Sequence, residues 1–193
     1  LENVRKVMLY HLHSLVIEDP ANDNTSFVVT DENKKVLTDL KYYLARIPGE
    51  YDYRKGIAFN GSVGTGKTMI LEMIKRCIFD LWAKELTIFT APYIKDEFYR
   101  EDHDRASVAH QAKVYPFLGI NDIGLERATV KGDELIRDVL YERFERRLYT
   151  FITTNLSVSQ LYRRYEYNDA VGRMTDRFKH MFNYVKLSGA SFR

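Results

Sequence analysis

The stretch FNGSVGTGKTMI, residues 59–70, decides the fold, and its centre, 61–68, fits G-x-x-x-x-G-K-[ST]. From average residue usage the bare pattern turns up in roughly one chain in a hundred of this length, so the pattern alone settles nothing. Its setting does. GIAFNG at 56–61 reads as a buried strand and residues 67–84 as a helix. Strand, loop and helix in that order make a phosphate-binding loop. Gly61, Gly64 and Gly66 let the backbone wrap closely, so that successive N–H groups point at phosphate oxygens. The helix adds the positive end of its dipole. Lys67 is expected to reach the β- and γ-phosphates, and Thr68 to offer its hydroxyl to Mg²⁺. The expected nucleotide contacts are Gly61, Ser62, Val63, Gly64, Thr65, Gly66, Lys67, Thr68 and Met69, with ATP and Mg²⁺ as cofactors.

Working outward, short apolar runs alternate with amphipathic stretches. LTIFTA (86–91), YPFLGIND (115–122), YTFITTN (149–155) and FNYVKLSG (182–189) read as further strands. Between them lie a polar helical region ending near Lys113, a helix over 132–148 and two more helical stretches. Five nearly continuous apolar strands separated by helices predict an α/β fold, a parallel sheet covered on both faces. Upstream, VRKVMLYHLHSLV (4–16) and DENKKVLTDLKYYLARI (31–47) read as helices, the second closed by Pro48-Gly49. The division expected is an N-terminal helical segment, 1–54, packed on or leading into a core domain, 55–193.

A P-loop needs an acidic element on a neighbouring strand, and FLGINDIGLE supplies one, ending at Asn121-Asp122. The strand ending in Thr153-Thr154-Asn155 places polar groups at a carboxyl edge, where open α/β sheets bind ligands. Asn155 could bond the attacking water or the γ-phosphate, or it could cap the next helix. Arg173 and Arg177, four apart in AVGRMTDRFKHM, share a helix face, while Met174, Phe178 and Met181 line another that suits the core. Two such arginines are either a solvated face or groups that stabilise phosphoryl charge, one of them acting in trans.

In this order the P-loop, NDIG, TTN and GRMTDRF resemble the AAA+ helicase loaders of the DnaC/DnaI type and the related IstB transposition helpers, over residues 55–193. The resemblance implies a three-layer ASCE-type sheet with strand order 5-1-4-3-2, ATP binding with slow hydrolysis, and coupling to DNA or a helicase. It implies catalytic roles for Lys67, Asp122, Asn155 (as sensor 1) and Arg177 (as the arginine finger). It also implies a helix after the second strand that contacts single-stranded DNA, which makes Tyr93, Lys95, Tyr99 and Arg100 candidates. An ordinary amphipathic helix is the competing reading there.

The chain departs from that family at one position. Members usually present two acids where this chain has Asn121-Asp122. Thr68, Asn121 and Asp122 form the expected Mg²⁺ set, the last two through water, and slow turnover is the expected result.

Composition bounds the rest. A chain of 193 residues suits one domain with a short appendage. Cys77 is the only cysteine, so no disulfide framework exists and a reducing, cytoplasmic setting is expected. No 18-residue apolar run and no leader pattern occur, so no membrane partner is expected. The chain begins at Leu1, and an N-terminal piece is expected to be missing. The net charge of +2 hides a basic final third, with ten Lys/Arg against five Asp/Glu from 141 to 193, which suits an anionic partner or a solvated face. His11 and His13 have no matching acid nearby in the sequence, and no metal site is expected of them. Three functions fit: an ATPase loading or remodelling a helicase or transposase partner on DNA as a homo-oligomer, a P-loop small-molecule kinase, and a protein-remodelling switch without DNA contact. The missing Gly-Lys-Gly-Thr loop and Arg-rich lid weigh against the kinase.

Overall fold

The computed structural model describes residues 1–18, 31–98, 108–125, 130–166 and 172–188. Two helices come first, α1 (Glu2–Glu18) and α2 (Asp31–Leu44), followed by β1 (Gly56–Gly61) and α3 (Lys67–Trp82). Next come β2 (Thr87–Thr90), α4 (Ala91–Phe98), α5 (Val108–Val114), β3 (Phe117–Ile123) and α6 (Val130–Glu145). The chain then forms β4 (Tyr149–Thr154), α7 (Val158–Tyr165), α8 (Arg173–Met181) and β5 (Phe182–Leu187). The five strands form one parallel sheet in the order β2-β3-β4-β1-β5, which is the expected 5-1-4-3-2 read from the other edge. The polar region up to Lys113 contains two helices, α4 and α5.

Alternation along the strands explains the three layers. Ile57 and Phe59 face one side of the sheet with Phe151 and Val185, under α1, α2 and α3. Ala58 faces the other with Ile152, Leu118 and Ile120, under α4 to α8. Both faces are buried, so the strands read as continuous apolar runs rather than alternating ones.

The N-terminal helices belong to the first of these cores. Met8, Leu12, Leu40, Tyr43 and Leu44 are buried against α3 and β1. Polar pins add direction: His11 Nε2 lies 2.7 Å from Asp80 Oδ2, and Arg76 donates to Ser14 Oγ at 3.2 Å. His11 therefore has an acid partner that its own neighbourhood in the sequence did not show. Trp82 Nε1 donates to the Leu44 carbonyl, and the Tyr43 hydroxyl to that of Lys55. Cys77 is fully buried beside Met73, and burial pushes its thiol up to about 12.

Among the described residues, Arg143 on α6 is the largest fully buried side chain, and it has no carboxylate partner there. Instead Nε donates to Thr150 Oγ1 at 2.9 Å, Nη1 to the carbonyls of Ala112 and Tyr115 at 2.8 Å each, and Nη2 to that of Tyr149 at 2.7 Å. One planar fork thus ties α5, the approach to β3, α6 and β4 together. Burial lowers its pKa to about 9, still above neutrality, so the guanidinium stays charged and the carbonyls stabilise it. Arg143→Met would take this donor from the carbonyls of Ala112, Tyr115 and Tyr149, and Arg143→Lys cannot span the four acceptors. Each substitution should lower unfolding stability by about 3 kcal/mol, with Met at least as costly as Lys, as measured by urea denaturation.

Candidate functional site

The loop from β1 to α3 is built on left-handed glycines. Gly64 has φ 83° and Gly66 φ 82°, values that side chains rarely adopt. Gly66 is the N-cap of α3, and no side chain caps that end. The start of this 16-residue helix therefore faces the loop without a side-chain cap at Gly66. Thr65 and Lys67 are buried, at 7% and 6% exposed, whereas Ser62, Val63 and Thr68 are exposed. The Lys67 ammonium donates to the carbonyls of Gly61 at 2.8 Å and Ser62 at 2.6 Å, and Thr65 Oγ1 donates to that of Ser62 at 2.9 Å. The loop is thus preshaped around its own cation.

Across the carboxyl edge, β3 ends in a distorted turn. Its ladder with β4 slips between Ile120 and Ile123, and Asp122 sits there at φ 60°. Asp and Asn tolerate that region better than most residues, and bulges of this kind re-aim side chains. Gly124 follows at φ 100°, where a Cβ would come within 2.8 Å of Leu156, so the glycine of NDIG is needed for backbone and for space.

Thr153 on β4 organises this turn. Its hydroxyl donates to Asn121 Oδ1 and accepts the backbone N–H of Asp122 at 2.9 Å. Asn121 Oδ1 also accepts from Thr68 Oγ1 at 3.3 Å, and Asn121 Nδ2 donates to Asp122 Oδ2 at 3.3 Å. Thr68, Asn121, Asp122 and Thr153 therefore form one network joining the P-loop helix to two strand ends. The sequence placed Thr153 at this edge but gave no sign of its double bond, which depends on the β3–β4 register.

Asn155 lies one residue beyond β4, exposed, with no side-chain bond to a described residue. It does not cap α7. Ser157 does, in a capping box with Gln160. The arginines of α8 part company. Arg173, the first residue of the helix, is exposed and pairs with no described residue, whereas only 14% of the Arg177 side chain is exposed. Arg177 Nη2 donates to Glu145 Oε1 at 3.0 Å, and its guanidinium lies 3.7 Å from the Tyr141 ring centroid. Of the two readings, a solvated face does not describe Arg177, which turns onto α6. Neither Tyr141 nor Glu145 was legible as its partner, because nothing local in the sequence links Arg177 to residues so far back along the chain. Met174, Phe178 and Met181 are buried, as their spacing suggested.

On α4, Tyr93 is 44% exposed with its ring 5.9 Å from Phe89, and Lys95 is half-buried; Tyr99 and Arg100 lie outside the described residues. A cavity of about 380 Å³ opens elsewhere, between α1 and α2, and no P-loop residue lines it.

These donors fit a magnesium nucleotide. Lys67, two left-handed glycines and a helix start without a side-chain cap suit phosphates, while Thr68, linked through Asn121 to the Asp122 carboxylate, suits a cation that keeps most of its waters. Among the described residues no group of three His, Cys, Asp or Glu could enclose a metal by itself.

Together the sheet order and this site give the chain the P-loop α/β fold that AAA+ domains share. The chain is similar to helicase loaders of the DnaC and DnaI type. It is 24% identical over 148 residues to the replicative helicase loader DnaI of Bacillus subtilis (strain 168), covering 72% of this chain and 48% of that protein. The chain thus spans about half the length of that curated relative. A DnaI crystal structure superposes with TM-score 0.69 at 22% identity, covering 93% of each chain. The DnaC helicase loader gives 0.70 at 20%, covering 86% of this chain and 95% of that one. The replication initiator DnaA bound to AMPPCP and single-stranded DNA gives 0.57 at 15%, covering 85% and 49%. No protein-family model matches the chain.

Thr153→Val keeps the shape but leaves the Asp122 N–H unbonded and removes one donor to Asn121. The variant should lose about 1–3 kcal/mol of stability, measured by chemical denaturation.

Proposed function

We propose that this chain is an ATP-binding AAA+ ATPase of DNA replication or mobile-element transactions, which loads or remodels a helicase-type partner on DNA. The observation that carries the reading is the convergence of Lys67, Thr68, Asn121 and Asp122 at one carboxyl edge of a 5-1-4-3-2 sheet. The likeness to a replicative helicase loader supports the biological half. No feature of the site favours a kinase or a switch without DNA contact.

In this reading Lys67 leaves the loop carbonyls to meet the β- and γ-phosphates, and the uncapped start of α3 receives their charge. Thr68 would hold Mg²⁺ directly, and Asn121 and Asp122 through water. Mg²⁺, when bound with the nucleotide, neutralises charge developing on the phosphoryl oxygens. Asp122 polarises the attacking water, Asn155 orients it from the exposed end of β4, and Arg177 of an adjacent copy stabilises the transferring phosphoryl charge. Hydrolysis is slow because Asn121 brings no negative charge to the metal side. Tyr93 and Lys95, with Tyr99 and Arg100, contact single-stranded DNA by stacking and phosphate attraction, which a salt-dependent binding titration checks.

Lys67→Ala should weaken ATP binding tenfold or more, about 1.4 kcal/mol upward, in a fluorescent-nucleotide titration, and unchanged affinity in the folded variant would sink the nucleotide assignment. Asn121→Asp should raise turnover or tighten the Mg²⁺ dependence, and steady-state kinetics against Mg²⁺ concentration would show neither if the missing charge is irrelevant. Lys67→Ala and Arg177→Ala, each inactive alone, should recover part of the turnover when mixed, because one interface then joins an intact loop to an intact arginine. Full activity of Arg177→Ala at concentrations where no oligomer forms would rule out the shared site.

A further inference from the structure

Arg177 is not held as an ordinary surface arginine. Tyr141, Phe144 and Glu145 stand at i, i+3 and i+4 on α6 and so share one face of that helix. The guanidinium of Arg177 lies over this face, 3.7 Å from the Tyr141 ring centroid and 5.4 Å from that of Phe144, with Nη2 3.0 Å from Glu145 Oε1. The arginine side chain is 14% exposed and the glutamate 51%. The hold is therefore real but exchangeable. An ion pair whose acid faces water is weak and screened by salt, and a ring contact near the surface is of similar strength. Arg143, on the same helix, shows the opposite arrangement: four acceptors seal it in the interior. Arg173, one turn earlier on α8, pairs with no described residue, so the hold is specific to Arg177.

We propose that Tyr141 and Glu145 are positioning residues that park Arg177 on its own subunit, releasing it only when a phosphoryl group on an adjacent copy displaces Glu145. This rests on the trans role of Arg177 given under Proposed function. The exchange is chemically even-handed, since guanidinium binds carboxylate and phosphate oxygens with the same planar donors. Parking keeps the arginine from straying into solvent or onto other anions, and it ties hydrolysis to assembly.

The test is ATP turnover per site of the full chain across protein concentration, for wild type, Glu145→Gln, Tyr141→Leu, Arg177→Ala and Glu145→Gln combined with Arg177→Ala. Light scattering monitors assembly and thermal unfolding monitors folding. Glu145→Gln should raise turnover of the assembled protein about two- to fivefold, the factor an exposed ion pair is worth. Tyr141→Leu should act in the same direction, and added salt should narrow both gains. Combining Glu145→Gln with Arg177→Ala should abolish the gain. If Arg177→Ala is inactive while Glu145→Gln and Tyr141→Leu, folded and assembled, match or fall below wild type, parking is wrong and the trans role stands. If Arg177→Ala turns over normally, the trans role fails and parking with it. If either α6 variant unfolds or disassembles, a salt titration of wild-type turnover at constant assembly decides, with a rise supporting parking and a flat or falling response overturning it.

Discussion

The parallel pairing of β1 between β4 and β5 is the constraint on which the rest depends. Ile57 to Asn60 run beside Phe151 to Thr154 on one flank, and Gly56 to Gly61 beside Phe182 to Leu187 on the other. A strand hydrogen-bonded on both sides cannot slide, because a one-residue slip would exchange Phe59 for Ala58 on the face that packs on α3. The P-loop therefore leaves the sheet at a fixed height, level with the end of β4. Since the ladder is parallel throughout, β3 ends at the same edge, and the polar side chains at 121, 122 and 153 meet there.

That edge carries polar atoms that the core cannot tolerate unpaired. Asn121 and Thr153 are 8% and 0% exposed, and they satisfy one another and the Asp122 backbone. The left-handed residue and the slipped ladder would be destabilising on their own. Here Thr153 Oγ1 restores the bond that the slip takes from the Asp122 amide. The same network reaches Thr68, so the first turn of α3 is linked to the distortion in β3 through side chains alone.

Much of this was legible in the sequence, for identifiable reasons. The sheet could be read because its strands are buried on both faces and separated by helices. The P-loop could be read because its glycines answer a backbone demand that other residues rarely meet. Arg143 is one of three arginines in YERFERR, and nothing local marks which of them turns inward. The partners of Arg177 and the acid partner of His11 were hidden for a related reason: each contact joins elements that only tertiary packing brings together. Asn155 stood as a capping candidate because asparagine caps well, but Ser157 lies two residues on and has Gln160 in position to complete the box.

The burial of Cys77 has a practical side. With the chain's one sulfhydryl fully enclosed and its ionisation suppressed, thiolate is scarce at neutral pH and reagents have no access to it. The native sequence is in effect a cysteine-free background. A cysteine introduced at an exposed position such as Lys179 or Val63 would be the single site for a maleimide, fluorophore or spin label. With a pair of such cysteines, distances across the molecule could be followed in solution without first removing a native residue from its core.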